Sequence, residues 1–355
     1  MLKIISALFL VIFFMMGCAT NQPAQKPSEK VIVRVASSER DEALAERLRS
    51  LESSVSSLGS KVAELEKRLS QTQVRPPLYT YKLPRVVSIC GEKVPLEDKK
   101  VWENLDQEFL LAVGNEVQVL LWMKRARRYF PYVEKRLKEM FLPDDLKYVT
   151  ITESALRPYA VSYSGAAGIW QFIPSTGERY GMRGNSGIDE RFDFFKATEG
   201  ALAYLKNLYE EFRSWPLAMA AYNAGENRVR KEIELQRMRN YFYLDLPMET
   251  ERYVYKITAA KIILSDPEKY GFHLESEELY DPLRMDRVQV EIPQPLPIIQ
   301  IAAAVGSSYK EVKEMNLHLT GEVVPGGIHV LNLPPGTSER FWVFLSNWKK
   351  EIRPK

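Results

Sequence analysis

A regular apolar stripe between residues 37 and 72 restricts what this chain can fold into more than any other feature. Apolar residues recur there at alternating intervals of four and three positions, a spacing typical of a coiled coil. The stripe consists of Leu44, Leu48, Leu51, Val55, Leu58, Val62, Leu65 and Leu69. Leucine fills every d position, and valine and leucine share the a positions, a mixture that favours a parallel dimer.

Charges beside the stripe agree with a parallel pair. Arg47 and Glu52 fall at g and the following e, where two chains would present opposite charges to each other. Gly59 opposes helix formation, at a cost of about 1 kcal/mol relative to alanine. The sequence therefore predicts a homo-oligomer through residues 44–69, with a single solvated amphipathic helix as the alternative.

Residues 1–18 have the composition of an export signal. Lys3 precedes an apolar run that ends before Gly17 and Cys18. The segment resembles a bacterial lipoprotein signal, in which Cys18 becomes the lipidated first residue and anchors the chain to a membrane. An uncleaved anchor is the alternative, and both place the rest outside the cytoplasm. Because Ala19, and not Asp, follows Cys18, we expect a periplasmic lipoprotein of the outer membrane.

The bulk composition excludes several classes of function. A net charge of +3 gives no field that would commit the chain to nucleic acid. The three histidines, His273, His318 and His329, are scattered and interpreted as surface or structural, so we expect no metal and no cofactor. With Cys18 lipidated, Cys90 would be the remaining thiol, either buried or bonded between chains.

The rest of the chain divides by composition into five segments. Residues 101–140 have apolar residues at helical spacing with interruptions at Gly114 and Pro131, which predicts two or three helices. The predicted segments are a tether (19–36), a Pro-rich linker (73–97), a mainly α domain (98–275), an accessory unit (286–335) and a C-terminal helix or tail (336–355).

Four short motifs within the mainly α domain lead us to predict that it is the catalytic domain. Glu153 ends an apolar segment in "ITES" and is followed by the Gly-rich "GIWQFIPST", residues 168–176. "AYNAG" spans residues 221–225, and "ETERYVYKI" contains Tyr253. In this order the motifs resemble the soluble lytic transglycosylase family, goose-type-lysozyme-like glycosidases that cut the glycan strands of peptidoglycan. The resemblance implies a lysozyme-like catalytic domain that is α+β with minor β.

Glu153 has the surroundings that a general acid requires. Cleavage of a glycosidic bond needs a proton on the leaving oxygen, and apolar surroundings keep a carboxyl protonated near neutral pH. We expect Trp170, Phe172 and Tyr253 to supply these apolar surroundings. An ordinary glycosidase also needs a second carboxylate, and the motifs offer none. We interpret the nearby acidic residues as loop, cap or surface groups: Glu178, Asp189 and Asp193.

The family resemblance implies a mechanism with one carboxylate. Glu153 would act as acid on the bond between N-acetylmuramic acid and N-acetylglucosamine, then as base on the 6-hydroxyl of the muramyl sugar, leaving a 1,6-anhydromuramyl end. Carried over by position, Ser154 and Gln171 would hydrogen-bond the sugar, Tyr222 and Asn223 would line the floor, and Tyr253 would hold Glu153. The alternatives are a muramidase that uses water and a catalytically silent, wall-binding lipoprotein scaffold.

Residues 286–335 have the order strand, helix, helix, strand. This βααβ pattern resembles a LysM peptidoglycan-binding module, with Asn316 and a Pro-Gly turn before the final strand. The Gly-Asp-Thr-Leu that usually opens such a module is replaced by "PQPLPII". Sugar binding and a structural accessory role are therefore both open for this unit.

Overall fold

The structure is a computed structural model that describes residues 32–71 and 77–351. The predicted export signal with Cys18, most of the tether and the start of the linker lie outside the described residues. The chain divides into two units, one ending at Val74 and the other beginning at Arg75. Within the described ranges, no helix combines the length and apolar character needed to cross a bilayer.

Among its described residues, the first unit contains one long helix, α1 (Ile32–Gln71), of 40 residues. It begins five residues before the predicted start at residue 37, and Gly59 does not interrupt it. The stripe residues from Leu44 to Leu65 are exposed, with Val55 at 67% and Leu58 at 60%. The helix is therefore observed, and its pairing with a second copy stays a prediction.

The predicted catalytic domain is built from eight helices among the described residues. Their bounds are α2 (Lys99–Gly114), α3 (Glu116–Glu139), α4 (Val149–Ser154), α5 (Pro174–Arg179), α6 (Phe194–Phe212), α7 (Trp215–Ala224), α8 (Glu226–Gln236) and α9 (Met248–Ser265). The break at Gly114 is confirmed, but the break predicted at Pro131 is wrong because α3 runs through it. Pro131 and Arg127, whose carbonyl loses its helical partner, are both exposed, so water can replace the missing bond.

Helix α9 forms the centre of this domain. Helices α2, α4 and α7 all pack against it. Its buried residues lie on most of its circumference, as expected for a helix surrounded by others. The short helix α4, which ends with the "TES" of the first motif, is thereby fixed against the "ERYVYKI" motif of α9.

The predicted Pro-rich linker is shorter than the sequence suggests. Strands β1 (Ser88–Ile89) and β2 (Glu92–Lys93) form a hairpin, and Ile89 and Val94 are buried in the catalytic core. Cys90 lies at its turn, where its N–H donates to Asp145 Oδ2 at 2.6 Å. Burial raises the pKa of the Cys90 thiol, which is unpaired and half-buried. Alternating apolar residues here outweigh the proline signal, so residues 87–97 belong to the domain.

The C-terminal segment, residues 286–351, contains the predicted order of strand, helix, helix and strand. Strands β5 (Asp286–Ile292) and β8 (Gly327–Leu333) pair antiparallel around α10 (Ile298–Val305) and α11 (Tyr309–Met315). Short strands β6 (Leu296–Pro297) and β7 (Val323–Val324) form a second pair, and α12 (Ser338–Glu351) packs on α10. Asn316 is buried and bonds the backbone of Asn332 in both directions, at 2.7 and 2.8 Å.

Backbone hydrogen bonds join this segment to the catalytic domain. Hairpin β3 (Gly184–Asn185) and β4 (Ile188–Asp189) lies against it: the Asp189 N–H donates to the His318 carbonyl at 2.8 Å, and the Thr320 N–H donates to the Gly187 carbonyl at 3.0 Å. Ile188 is buried in the core of the C-terminal segment. His318 and His329 are buried at this junction, whereas His273 is exposed between two glutamates, so the first two are structural.

Glu190 is an enclosed charge at the same junction. Its carboxylate accepts from the Arg183 guanidinium at 2.7 Å and from the Lys196 ammonium. Burial alone would raise the pKa of Glu190, but these hydrogen bonds outweigh it and lower the pKa to about 2. The junction therefore holds a carboxylate that stays ionised at every physiological pH.

Candidate active site

Glu153 is positioned by the abrupt end of α4. The next two residues, Ala155 and Leu156, take left-handed backbone angles, with φ of 53° and 58°. The Ala155 N–H donates to the Ile151 carbonyl at 2.9 Å and closes the helix. Left-handed angles are unfavourable for residues with a β-carbon, so packing must hold this turn in place. The turn leaves Glu153 at the wall of a cleft.

The cleft brings the four sequence motifs together. Its main chamber is a cavity of about 410 Å³ that contains Glu153 and side chains from the other three motifs. The lining residues used below are Gln171, Phe172, Tyr222, Asn223, Glu226, Glu249, Tyr253 and Lys256. Residues separated by about 100 positions in the sequence therefore meet around one carboxyl group.

Tyr253 makes the contact with Glu153 that the sequence predicts. The buried Tyr253 hydroxyl donates to Glu153 Oε1. Burial raises the pKa of Glu153 to about 7, while the Tyr253 bond opposes the rise and the charge of Glu249 adds to it. A substantial fraction of the Glu153 carboxyl is therefore protonated at neutral pH, as proton donation requires.

Gln171 and Tyr222 line the main chamber beside the Gly-rich loop. Gln171 has a φ of 50°, and its amide nitrogen donates to the Gly168 carbonyl at 2.8 Å. The Tyr222 hydroxyl donates to the Trp170 carbonyl at 2.7 Å. Because these donors hold the loop, the amide oxygen of Gln171 and the ring of Tyr222 are the parts that can face a ligand.

Asn223 connects the floor of the chamber to the first turn of α9. Its amide oxygen accepts from the Thr250 hydroxyl at 2.8 Å, and its amide nitrogen lies 3.4 Å from Glu249 Oε1. Both contacts fix the orientation of the amide. Asn223 therefore lines the chamber, as predicted, and also positions Glu249.

Ser154 and Trp170 lie outside the main chamber. Ser154 is 3% exposed, and its hydroxyl donates to the Ile169 carbonyl at 2.8 Å. Trp170 is fully buried, and its indole N–H donates to the Thr198 hydroxyl at 2.9 Å. Trp170 therefore does not line the main chamber, and its contribution to the apolar surroundings of Glu153 stays a prediction. The Ser154 hydroxyl therefore supports the Gly-rich loop through the Ile169 carbonyl and does not face the main chamber.

Arg191 supports the Gly-rich loop, a role that the sequence did not indicate. Its guanidinium donates to the Gly165 and Phe172 carbonyls at 2.7 and 3.0 Å and pairs with Asp189. At Gly168 a β-carbon would lie 2.1 Å from the Arg191 carbonyl oxygen, so only glycine fits. Asp189 thus serves the loop, and Asp193 caps α6, as their predicted structural roles require.

Glu249 is the functional candidate that the sequence analysis missed. It lines the main chamber with Glu153, although the motifs were judged to offer no second carboxylate. The signal was present, because Glu249 stands four residues before Tyr253 and therefore on the same face of α9. Within the described ranges, no group of three or more potential ligand side chains is arranged to hold a metal ion.

Comparison with known proteins agrees with this geometry. Residues 131–244 match the transglycosylase SLT domain. Membrane-bound lytic murein transglycosylase D of Escherichia coli K12 is 34% identical over 205 residues, which cover 56% of this chain and 44% of the relative. Membrane-bound lytic murein transglycosylase C of Actinobacillus succinogenes is 33% identical over 131 residues, covering 33% and 35%. The chain thus spans less than half the length of these curated relatives.

Solved structures include more distant similarities. The 70 kDa soluble lytic transglycosylase of Escherichia coli aligns with a TM-score of 0.34 at 17% identity, covering 62% of this chain and 46% of that protein. A lytic transglycosylase of Pseudomonas aeruginosa aligns with a TM-score of 0.31 at 20% identity, covering 43% and 26%. On the domain match and the curated relatives, the resemblance predicted from the four motifs is confirmed: residues 131–244 match the transglycosylase SLT domain, and the chain is similar to the lytic murein transglycosylases.

Proposed function

We propose that this protein is a peptidoglycan lytic transglycosylase that remodels the cell wall. It would cleave the β-1,4 bond between N-acetylmuramic acid and N-acetylglucosamine without water and leave a 1,6-anhydromuramyl end. The observation that carries the proposal is the Glu153 carboxyl, whose pKa is raised to about 7 and which accepts a hydrogen bond from Tyr253 inside a cleft. A neutral carboxyl at this place is a proton donor and not a binding group.

The reaction needs two proton transfers through one residue. Protonated Glu153 gives its proton to the glycosidic oxygen as the bond from that oxygen to muramyl C1 breaks. The resulting carboxylate takes the proton of the 6-hydroxyl, whose oxygen forms the new bond to C1. Family resemblance implies that the substrate's acetamido group stabilises the positive charge at C1 between the two steps. No proton or oxygen is gained or lost, so the enzyme returns to its starting state.

The other site residues have proposed roles in positioning. Tyr253 aims the Glu153 carboxyl, and Tyr222 and Asn223 form the floor on which a sugar would lie. Gln171 would accept a sugar hydroxyl through its amide oxygen. Ser154 would act indirectly, by fixing the Ile169 carbonyl and with it the loop that carries Gln171.

Mass spectrometry of a digest tests the reaction. The chain from Ala19 would be incubated with purified peptidoglycan sacculi, and the soluble products would be weighed. Anhydro ends are lighter by one water than the reducing ends that a muramidase produces. Anhydromuropeptides from the wild type, and almost none from Glu153→Gln, are the expected result. Reducing ends would indicate the hydrolase, in which Glu249 would be the base for water. Binding without any product would indicate a silent scaffold.

We further propose that lipid on Cys18 anchors the protein in the cell envelope, on the periplasmic side of the outer membrane. The name of the Escherichia coli relative describes that protein as membrane-bound. Metabolic labelling with a radioactive fatty acid should mark the wild type and leave Cys18→Ala unlabelled. Separation of inner and outer membranes by density then locates the labelled protein. Recovery of label in the inner membrane would contradict the proposed location.

The exposed stripe of α1 supports a parallel homo-oligomer as the second partner proposal. Leu51→Lys with Leu58→Lys would place like charges in the shared seam, where burial without a partner is costly. Ser53→Lys with Ser60→Lys adds the same charge at the outward f positions and is the matched control. Sedimentation of the lipid-free chain at micromolar concentration should show an oligomer for the wild type and the control, and a monomer for the seam variant. A monomeric wild type would contradict the oligomer and support the alternative, a single solvated amphipathic helix.

The C-terminal segment is proposed as a LysM-like accessory unit. Its hydrogen bonds to the β3–β4 hairpin favour a structural role. Sugar binding by this unit would require that sacculi still retain the protein when the main chamber is blocked by a soluble glycan fragment. Release of the protein from the sacculi in the presence of the soluble fragment would contradict sugar binding by this unit and support its structural role.

A further inference from the structure

The β3–β4 hairpin lies between the C-terminal segment and the Gly-rich loop. On one side, the Asp189 N–H donates to the His318 carbonyl at 2.8 Å. On the other side, the Asp189 carboxylate accepts from the Arg191 guanidinium at 2.7 and 2.9 Å. Arg191 in turn donates to the Phe172 carbonyl of the loop at 3.0 Å. Asp189 thus joins the backbone of the C-terminal segment to the loop that carries Gln171.

Further contacts hold the hairpin to the same segment. The Thr320 N–H donates to the Gly187 carbonyl, and the Ile188 side chain is buried in the C-terminal core. Arg183, just before β3, donates to the Ile328 carbonyl of β8 at 3.2 Å. The position of the hairpin, and with it the aim of Arg191, therefore depends on how the C-terminal segment packs.

Two buried histidines lie beside these bonds. His318 and His329 are each 4% exposed, and both line a cavity of about 400 Å³ between α6 and the β5–β8 pair. Among the described residues, His329 Nε2 has no hydrogen-bond partner. Protonation would give a charged ring whose Nε2–H has no acceptor, which is costly in a buried place. The contact is therefore built for neutral rings.

Charges of both signs surround the two rings. Burial lowers the pKa of His318, and Arg183 and His329 lower it further, while Asp193 and Glu190 oppose the fall. Burial also lowers the pKa of His329, with Arg183 adding to the fall and Glu190 and two backbone carbonyls opposing it. The other titratable or charged groups at the cavity wall are Tyr132, Lys196, Glu199 and Arg287. Both rings are thus neutral at pH 7 and gain charge only below the ordinary histidine value of 6.5.

We propose that His318 and His329 are positioning residues for the Gly-rich loop and that their protonation in mild acid releases it. Two charged rings beside Arg183 would repel it and push the C-terminal segment away from the hairpin. The bond from Asp189 to the His318 carbonyl would then break. Arg191 would lose the fixed carboxylate that aims its guanidinium at the loop.

The release would weaken substrate binding more than chemistry. Gln171, to which we assign a contact with a sugar hydroxyl, lies on the loop, so this step rests on the proposed function. Glu153 and Tyr253 lie on α4 and α9, which pack against each other. The acid would keep its position while the sugar loses a partner, and mild acid would lower the affinity for glycan.

Binding in the Glu153→Gln background tests the inference without turnover and without the titration of Glu153. Isothermal titration calorimetry would measure the affinity of the chain from Ala19 for a peptide-free glycan tetrasaccharide at pH 7 and pH 5. We expect an affinity about tenfold lower at pH 5, the scale of one lost hydrogen bond. Ordinary carboxyl groups titrate near pH 4, below this window.

Two sets of variants identify the groups that titrate. With His318→Gln and His329→Gln added, the side chains stay polar but cannot gain charge, so the affinity should be nearly the same at both pH values. His273→Gln is the matched control. His273 is exposed, and hydrogen bonds from Glu275 and Glu268 raise its pKa, so its removal should keep the tenfold fall.

Hydrogen exchange of the unchanged chain gives a second test that needs no variant. The Asp189 and Thr320 amides donate across the contact, so their protection factors should fall about tenfold from pH 7 to pH 5. Amides of α9, such as that of Tyr253, should keep theirs. This comparison separates release of the hairpin from a general loss of stability in acid.

Three results would overturn the inference. They are an affinity that is equal at both pH values before any histidine is changed, a fall that persists in the double-histidine variant, and junction amides that stay protected at pH 5. Failure of the proposed function has a different signature, because the tetrasaccharide would not bind at pH 7 and the exchange measurement would still decide. Circular dichroism melting at pH 7 confirms that each variant is folded, and exchange decides if the double variant is not.

Discussion

Glu153 in the cleft and Glu190 at the junction are both enclosed by the fold, yet their pKa values move in opposite directions. Burial pushes both upward. Glu153 meets one neutral hydroxyl and a like charge, so its pKa rises to about 7. Glu190 meets two cations, so its pKa falls to about 2. The comparison shows that burial alone does not set the pKa of a carboxyl: Glu153 has no cation of the described residues hydrogen-bonded to it, whereas Glu190 has two.

The largest expected effect is on catalysis. Glu153→Gln keeps the size of the side chain but removes the transferable proton, so turnover should fall by about 10² to 10⁴. Release of anhydromuropeptides by the purified variant measures it. Glu190→Gln is the matched change at the other carboxylate and should leave turnover per folded molecule near the wild-type value. A Glu153→Gln rate near wild type would assign the acid elsewhere.

The same two substitutions should change stability with opposite signs. Glu190 has a lowered pKa, so its contribution is present above its ordinary value of 4.5 and is lost as the pH falls towards 2. At pH 7, Glu190→Gln should therefore lower the free energy of unfolding by about 2 kcal/mol, reduced from the full linkage value because Arg183 and Lys196 are partly exposed. Denaturant unfolding measures it. Glu97→Gln, which breaks an exposed pair with Lys93, should cause no measurable loss.

For Glu153 the sign is reversed. Its folded-state pKa lies above its ordinary value of 4.5, so the folded chain loses stability as the pH rises from about 4.5 to 7. Glu153→Gln should consequently be more stable than wild type at pH 8, by about 2 kcal/mol, and similar to it at pH 4.5. Unfolding at the two pH values tests this. A variant less stable than wild type at pH 8 would contradict the raised pKa.

Tyr253→Phe should have an intermediate effect. The change deletes one hydroxyl, so stability should fall by no more than about 1.5 kcal/mol, while turnover decreases because the carboxyl is no longer aimed. Since the Tyr253 bond lowers the pKa of Glu153, its loss should move the alkaline limb of the pH–rate profile upward. A profile that keeps its shape, with activity and melting temperature falling together, would mark Tyr253 as a core residue only.

Glu249→Gln should give the smallest change. The charge of Glu249 raises the pKa of Glu153, so its removal should move the alkaline limb downward by less than about one pH unit. The pH dependence of kcat measures the shift. Glu234→Gln, an exposed glutamate on α8, is the control and should leave the limb in place. An upward shift would show that Glu249 acts on the acid through something other than its charge.

The sequence predicted the parts of the site that depend on one residue and its chemistry. Glu153 was singled out because it ends an apolar segment, and its contact with Tyr253, which the family resemblance implied, is present in the structure. The helix break at Gly114 and the cap at Asp193 were also predictable, because helix breakers and caps act over a few residues. Features that depend on neighbouring residues in the sequence could thus be predicted from the sequence.

The missed features depend on contacts between distant segments. Ser154 and Trp170 stand beside site residues in the sequence, but which side of the loop each faces is decided by partners at Ile169 and Thr198. The hairpin at residues 88–93 was hidden by flanking prolines, since its burial comes from the catalytic core. Glu249 was overlooked although it opens the "ETERYVYKI" motif, because its place in the same chamber as Glu153 results from the packing of α4 against α9.

Ile188 has a consequence for how the molecule unfolds. This residue lies on a hairpin of the catalytic domain, yet its side chain is part of the hydrophobic core of the C-terminal segment. Opening either core would therefore expose a piece of the other and break the backbone bonds from Asp189 and Thr320. We expect the two cores to unfold as a single cooperative unit, in which partial opening at one end is costly. Calorimetry of residues 75–355 should accordingly record one heat-absorption peak. A C-terminal module joined only by a flexible tether would give a second peak.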